Sequence, residues 1–162
     1  MASNNNKAYR AYFLTSNNPQ DHYEWAKGFD YTSATPAQFE ELLQASIAPF
    51  THGRNGTNRD AEKNGVIASF EVCEQGTPHI HHIICSVNPI RYTSLQRTYS
   101  HSDVRSVIGT VGEVTDYIYK RNRHADKNET LKCEPVTWGS YFIDNKGETD
   151  GWIGSSFVQS PK

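Results

Sequence analysis

Apolar and polar positions along the chain alternate with two periods, and these set the expected elements. Residues 8–16, AYRAYFLTS, are aromatic and β-prone, which predicts a first strand. Asn17-Asn18-Pro19 ends it, because the residue before a proline is steered away from continued regular structure. Thr35-Pro36 opens a helix, with Thr35 suited to the N-cap and Pro36 to the first helical position. Phe39, Leu42, Leu43 and Ile47 then recur at helical spacing. A polar loop covers 51–65, and strands follow at 65–73 and 78–86, joined by the turn Glu74-Gln75-Gly76-Thr77 as a hairpin. Further on, the pattern predicts a helix at 92–99 and a strand at 103–108. A second helix is expected at 111–121, where Val111, Val114 and Ile118 form one stripe, and a last strand at 135–143. No βαβ period repeats, so the expected class is α+β, with a central antiparallel β-sheet flanked by helices. Residues 1–7 read as a frayed start, 8–145 as one folded domain and 146–162 as a tail or linker.

Composition adds limits. The chain's 162 residues suffice for one core and not two, and its 36% hydrophobic and 21% charged residues suit a soluble domain. No apolar run is long enough to predict a membrane span, and the start lacks the apolar stretch of a secretion signal. Three scattered cysteines make no disulfide framework, so a reducing compartment, cytoplasmic or nuclear, is expected. The net charge of −2 means that any binding to nucleic acid must rest on local positive charge. Two stretches supply it: Lys120, Arg121, Arg123 and His124 in YKRNRH, and Arg54, Arg59 and Lys63 in the 51–65 loop.

The candidate chemistry starts from TPHIHHIICS, residues 77–86, which places three histidines in a strand of isoleucines. Burying an imidazole is costly unless it has a partner. Side chains in a strand alternate between faces, so His79 and His81 share one face, and His82 joins Ile80 and Ile84 on the other. Two imidazoles in this arrangement can converge on one metal ion, with Glu71 or Glu74 across the hairpin as a carboxylate ligand. Such a set leaves coordination positions open, as catalytic sites do. His82 is expected only to pack or hydrogen-bond on the far face. Later, DYIYK puts Tyr117 and Lys120 three residues apart on one helix face. A neutral phenol is a weak nucleophile, but it is useful against a phosphodiester polarised by a metal ion.

Three segments in order, YFLTSNNP (12–19), FEVCEQGTPHIHHI (70–83) and DYIYK (116–120), resemble the motifs of a known family. They are similar to the endonuclease domain of rolling-circle replication initiators, the Rep proteins of small circular single-stranded DNA viruses and related plasmids, in the HUH superfamily. Phe13-Leu14-Thr15 matches the first motif, His79-Ile80-His81 the second and Tyr117-Ile118-Tyr119-Lys120 the third. VTWGSYFID resembles the strand after the family's catalytic helix, so the resemblance spans roughly 8–145. It implies a ferredoxin- or RRM-like palm. It also implies Glu71, eight residues before His79, as the third metal ligand, with Mn²⁺ or Mg²⁺ as cofactor. Mixed imidazole and carboxylate ligands suit Mn²⁺ at least as well as Mg²⁺. Tyr117 is implied as nucleophile and Lys120 as its assistant. The implied reaction nicks single-stranded DNA at a replication origin, in a setting expected to be a stem-loop, and leaves a 5′-phosphotyrosine link and a free 3′-OH. The expected DNA contacts are Arg54, Arg59, Arg91, Arg121 and Arg123. No phosphate-binding loop of a helicase ATPase occurs in the chain, so either this is an excised domain or the protein lacks that motor. Any oligomerisation is expected to run through C-terminal regions beyond this chain.

Two other readings use the same residues. Two histidines and a carboxylate also serve non-haem Fe(II) oxygenases, but that reading leaves Tyr117 and Lys120 idle. A non-catalytic nucleic-acid-binding module with an RRM-like sheet would instead stack bases on surface aromatics such as Tyr12, Phe13 and Tyr141.

Overall fold

The structure, a computed structural model, describes residues 7–52, 58–73, 75–107, 118 and 131–140. The chain is α+β. Strands β1 (Ala8–Asn17), β2 (Asn64–Val72), β3 (Pro78–Arg91), β4 (Asp103–Ser106) and β5 (Val136–Trp138) form one antiparallel sheet in the order β4-β1-β3-β2-β5. Helix α1 (Pro36–His52) covers one face, and the short helix α2 (Tyr92–Thr98) follows β3 directly. No helix among the described residues is long and apolar enough to cross a membrane.

Local chemistry accounts for these boundaries. Asn18 adopts a left-handed conformation (φ 48°), which turns the chain out of β1 into a short 3-10 turn at Pro19–Asp21. At the start of α1, Thr35 and Gln38 exchange bonds. The Gln38 amide donates to Thr35 Oγ1 at 3.3 Å, and the Thr35 amide donates to Gln38 Oε1 at 2.8 Å. This reciprocal cap satisfies two amides that the first helical turn leaves unpaired. Between β2 and β3 the Gly76 amide bonds the Cys73 carbonyl at 2.8 Å, with Gly76 at φ +85°, a conformation that needs no Cβ.

The sheet separates two layers. On one face Tyr12, Leu14, Val66, Ala68, Phe70, Ile80 and Ile84 pack against Phe39, Leu42, Leu43, Ile47 and Phe50 of α1. The other face buries a smaller cluster, Ala11, Ile67, Ile83, Cys85, Val107 and Ile118. Ile118 is helical and fully buried, and it is the one described residue of the helix expected at 111–121.

Two strands differ from expectation. β3 does not stop at Ser86 but runs on to Arg91. Its pairing with β1 jumps from Ala11↔Cys85 to Tyr9↔Ile90, so the extra residues bulge outward before Ile90 returns to the sheet. Pro89, which has no N–H to donate, lies exposed in that bulge. β5 spans Val136–Trp138, ending where Gly139 turns away at φ +85°, and positions 141–143 of the strand expected at 135–143 lie outside the described residues. A Cβ at Gly139 would collide with the Asn64 carbonyl, so this edge is held tightly to the start of β2.

Candidate metal centre

The β2–β3 hairpin sets the site. Its register pairs Glu71 with His79 and Ser69 with His81, so all four side chains share the face opposite α1. Glu71 lies between the two imidazoles. Its Oε1 is 3.0 Å from His79 Nε2, and its Oε2 is 3.8 Å from His81 Nε2. The two rings meet edge-on with centroids 4.7 Å apart. His81 and Glu71 are buried and His79 is the more open of the three, so a ligand would arrive from the His79 side.

These residues fit a divalent ion. One donor atom from each of Glu71, His79 and His81 lies within 4.8 Å of the others. Ligands about 2.1 Å from a shared ion are at most about 4.2 Å apart, so only small side-chain adjustments are needed to close the site. The donor set, two neutral imidazole nitrogens and one carboxylate oxygen, suits a borderline first-row ion and leaves positions for water or substrate. Glu71 was one of two carboxylates open on spacing alone. Its register opposite His79 brings it to the site, and Glu74 lies outside the described residues.

β1 closes the site from the other side. Thr15 is paired with His81, and Thr15 Oγ1 lies 3.3 Å from His81 Nδ1. Phe13, two residues earlier on the same face, stacks on the His81 ring with centroids 4.9 Å apart and planes at 24°. Beyond Phe13, Arg105 of β4 sits opposite it in register, exposed and bonded through Nε to Asp103 at 2.7 Å. The sequence singled out Phe13-Leu14-Thr15 as a motif but gave Thr15 and Arg105 no task at the site. Only the strand pairing reveals their position.

His82 is turned the other way. It is fully buried in the α1 layer, with Nε2 2.8 Å from Ser46 Oγ and its ring 5.3 Å from that of Tyr99. Desolvation, with the neighbouring His81 adding repulsion, lowers its pKa to about 3, so it is neutral.

The remaining expected residues are dispersed or lie outside the described set. Tyr117, Lys120, Arg54, Arg121 and Arg123 lie outside it, as does Tyr141. Arg91 is exposed at the far end of β3 from the histidines. Arg59 belongs to the α1 layer, where its Nε donates to the Phe50 carbonyl at 2.8 Å and its guanidinium lies 4.2 Å over the Phe50 ring. Tyr12 is not a surface aromatic. It is fully buried and its hydroxyl donates to the Ile90 carbonyl at 2.6 Å, so it has no face to offer a base. No protein-family model and no curated protein sequence matches the chain.

Proposed function

We propose that the chain is a metal-dependent, single-strand DNA nicking and joining endonuclease of the HUH replication-initiator type. The observation that carries this reading is the gathering of Glu71, His79 and His81 on one sheet face. Two further features support it. The Phe13-Leu14-Thr15 strand lies directly against His81. Ile118, inside the Tyr117-x-x-Lys120 segment, is buried on the same face as the three ligands.

In this reading Glu71, His79 and His81 hold Mn²⁺ or Mg²⁺, which supplies Lewis-acid polarisation of the scissile phosphate. The phenolic oxygen of Tyr117 forms a bond to phosphorus and loses its proton to solvent. The P–O3′ bond breaks, and the departing 3′ oxygen takes up a proton. The ester formed keeps the energy of the one broken, so a 3′-OH can attack it and rejoin the strand. Lys120 stabilises the phenolate and orients the phosphate. Arg105, on the same face of the edge strand, joins Arg54, Arg91, Arg121 and Arg123 as a candidate phosphate contact.

The test is incubation with single-stranded stem-loop oligonucleotides and Mn²⁺, followed by a denaturing gel and mass spectrometry of the adduct. The expected result is a covalent band whose nucleotide maps to Tyr117. Tyr117→Phe should abolish the band, and Tyr119→Phe should retain it. Cleavage without a protein-linked product, or an adduct on Tyr119, would overturn the assignment.

A further inference from the structure

His81 is gripped from two directions, and the grip has a chemical consequence. Its Nδ1 faces Thr15 Oγ1 at 3.3 Å, on the β1 side. Its Nε2 faces Glu71 Oε2 at 3.8 Å, on the β2 side, where the three candidate ligands converge. A neutral imidazole has one N–H and one lone pair, and the hydrogen bond at one nitrogen decides which of the two carries the proton. Thr15 is β-branched and lies within β1, so its side-chain torsion is stiff and its hydroxyl is held in place. Phe13 stacks on the ring and limits its rotation.

We propose that Thr15 is a positioning residue for the metal centre: its hydroxyl accepts the His81 Nδ1–H and so presents the Nε2 lone pair to the Glu71 side, where an ion would bind. Protein groups that orient a metal-binding histidine through its other nitrogen commonly change metal affinity by about 10- to 100-fold. The Thr15 bond is long and neutral, so the lower end of that range applies. The inference rests on the metal-site reading above, but the tautomer exists without metal and can be measured without it.

His82 provides an internal contrast. Ser46 Oγ donates its single proton to the Leu43 carbonyl at 2.7 Å, so at its 2.8 Å contact with His82 it must accept. His82 is therefore the Nε2–H tautomer, and its neighbour His81 is assigned the Nδ1–H tautomer.

The experiment is ¹⁵N correlation spectroscopy of imidazole nitrogens in the metal-free protein, with signals assigned by their loss in His81→Asn and His82→Gln. The expected result is Nδ1–H for His81 and Nε2–H for His82. Thr15→Val should turn His81 into a tautomer mixture, and Thr15→Ser should restore Nδ1–H. Calorimetric titration of Mn²⁺ should show binding weakened about tenfold in Thr15→Val and within about threefold of the parent in Thr15→Ser. An Nε2–H or mixed His81 in the parent protein overturns the proposal, as does unchanged Mn²⁺ affinity in Thr15→Val. If the parent takes up no Mn²⁺ while His81 is Nδ1–H, the metal reading falls and the tautomer assignment stands.

Discussion

His81 and His82 are chain neighbours with the same side chain and opposite fates. One faces Glu71, His79 and Thr15 on the face opposite α1; the other faces Ser46 and Tyr99 inside the α1 layer. Both are buried, so burial alone does not tell a ligand from a core residue. The difference lies in the company each face provides. A carboxylate and a second imidazole make a place for a cation, whereas a hydroxyl and an aromatic ring make a place for a neutral imidazole.

The widest separation between the two faces should come from removing one histidine at a time. His81→Ala or His79→Ala should eliminate measurable Mn²⁺ binding and nicking in protein that remains folded, with the buried His81 ring costing more stability than the half-buried His79. Glu71→Gln should weaken Mn²⁺ binding far more than Glu74→Gln. Calorimetry and circular dichroism on the same samples check both statements, and a well-folded His81→Ala that still nicks would erase the contrast.

His82→Ala should behave in the converse way. Removing a fully buried ring and its bond to Ser46 should cost about 2–4 kcal/mol in urea unfolding, while protein that remains folded binds Mn²⁺ normally. Loss of metal binding by this folded variant would mean that the two faces are not independent.

Acid should distinguish the faces more gently. The unfolded chain protonates His82 near its ordinary pKa of 6.5, but the folded chain does so only near 3. This contribution to stability is therefore complete above pH 6.5 and declines as pH falls toward 3. The slope is at most about 1.4 kcal/mol per pH unit. Urea midpoints between pH 7 and pH 4 should follow this trend, and His82→Gln should flatten it.

The smallest effect concerns Tyr12, on the helical face. Tyr12→Phe loses the bond to the Ile90 carbonyl and should cost about 1 kcal/mol, with no change in binding to a single-stranded oligonucleotide. A drop in oligonucleotide affinity without a drop in stability would return Tyr12 to the surface role its sequence suggested.

Much of the site was legible because its information is local. Glu71, His79 and His81 lie in one hairpin, so two-residue alternation and a short turn suffice to bring them together. The N-cap of α1 was legible for the same reason, since Thr35 and Pro36 act within a single turn, but the return bond from Gln38 Oε1 was not anticipated. What could not be read depends on which strand lies next to which. Thr15 meets His81 across a sequence separation of 66 residues, and no periodicity encodes that meeting. The full length of β3 was hidden because Asn88 and Pro89 sit in a bulge that only the pairing with β1 shows. Tyr12 misled because an aromatic in a strand does not announce which face a helix will cover.

The hairpin origin of the three ligands also sets an order of events in time. Glu71 and His79 are separated by a short turn, whereas His81 must close a far longer loop to reach Thr15. The logarithmic cost of loop closure puts the longer contact at a disadvantage of about 2 kcal/mol before either is rewarded. The chelating pair should therefore form early in folding, ahead of the strand that orients its second histidine. An ion captured at that stage would clamp the hairpin in register, where a slip of one residue would turn both imidazoles to the wrong side. Refolding in stopped flow should then be faster with Mn²⁺ present, and the acceleration should survive Thr15→Val but vanish in His79→Ala.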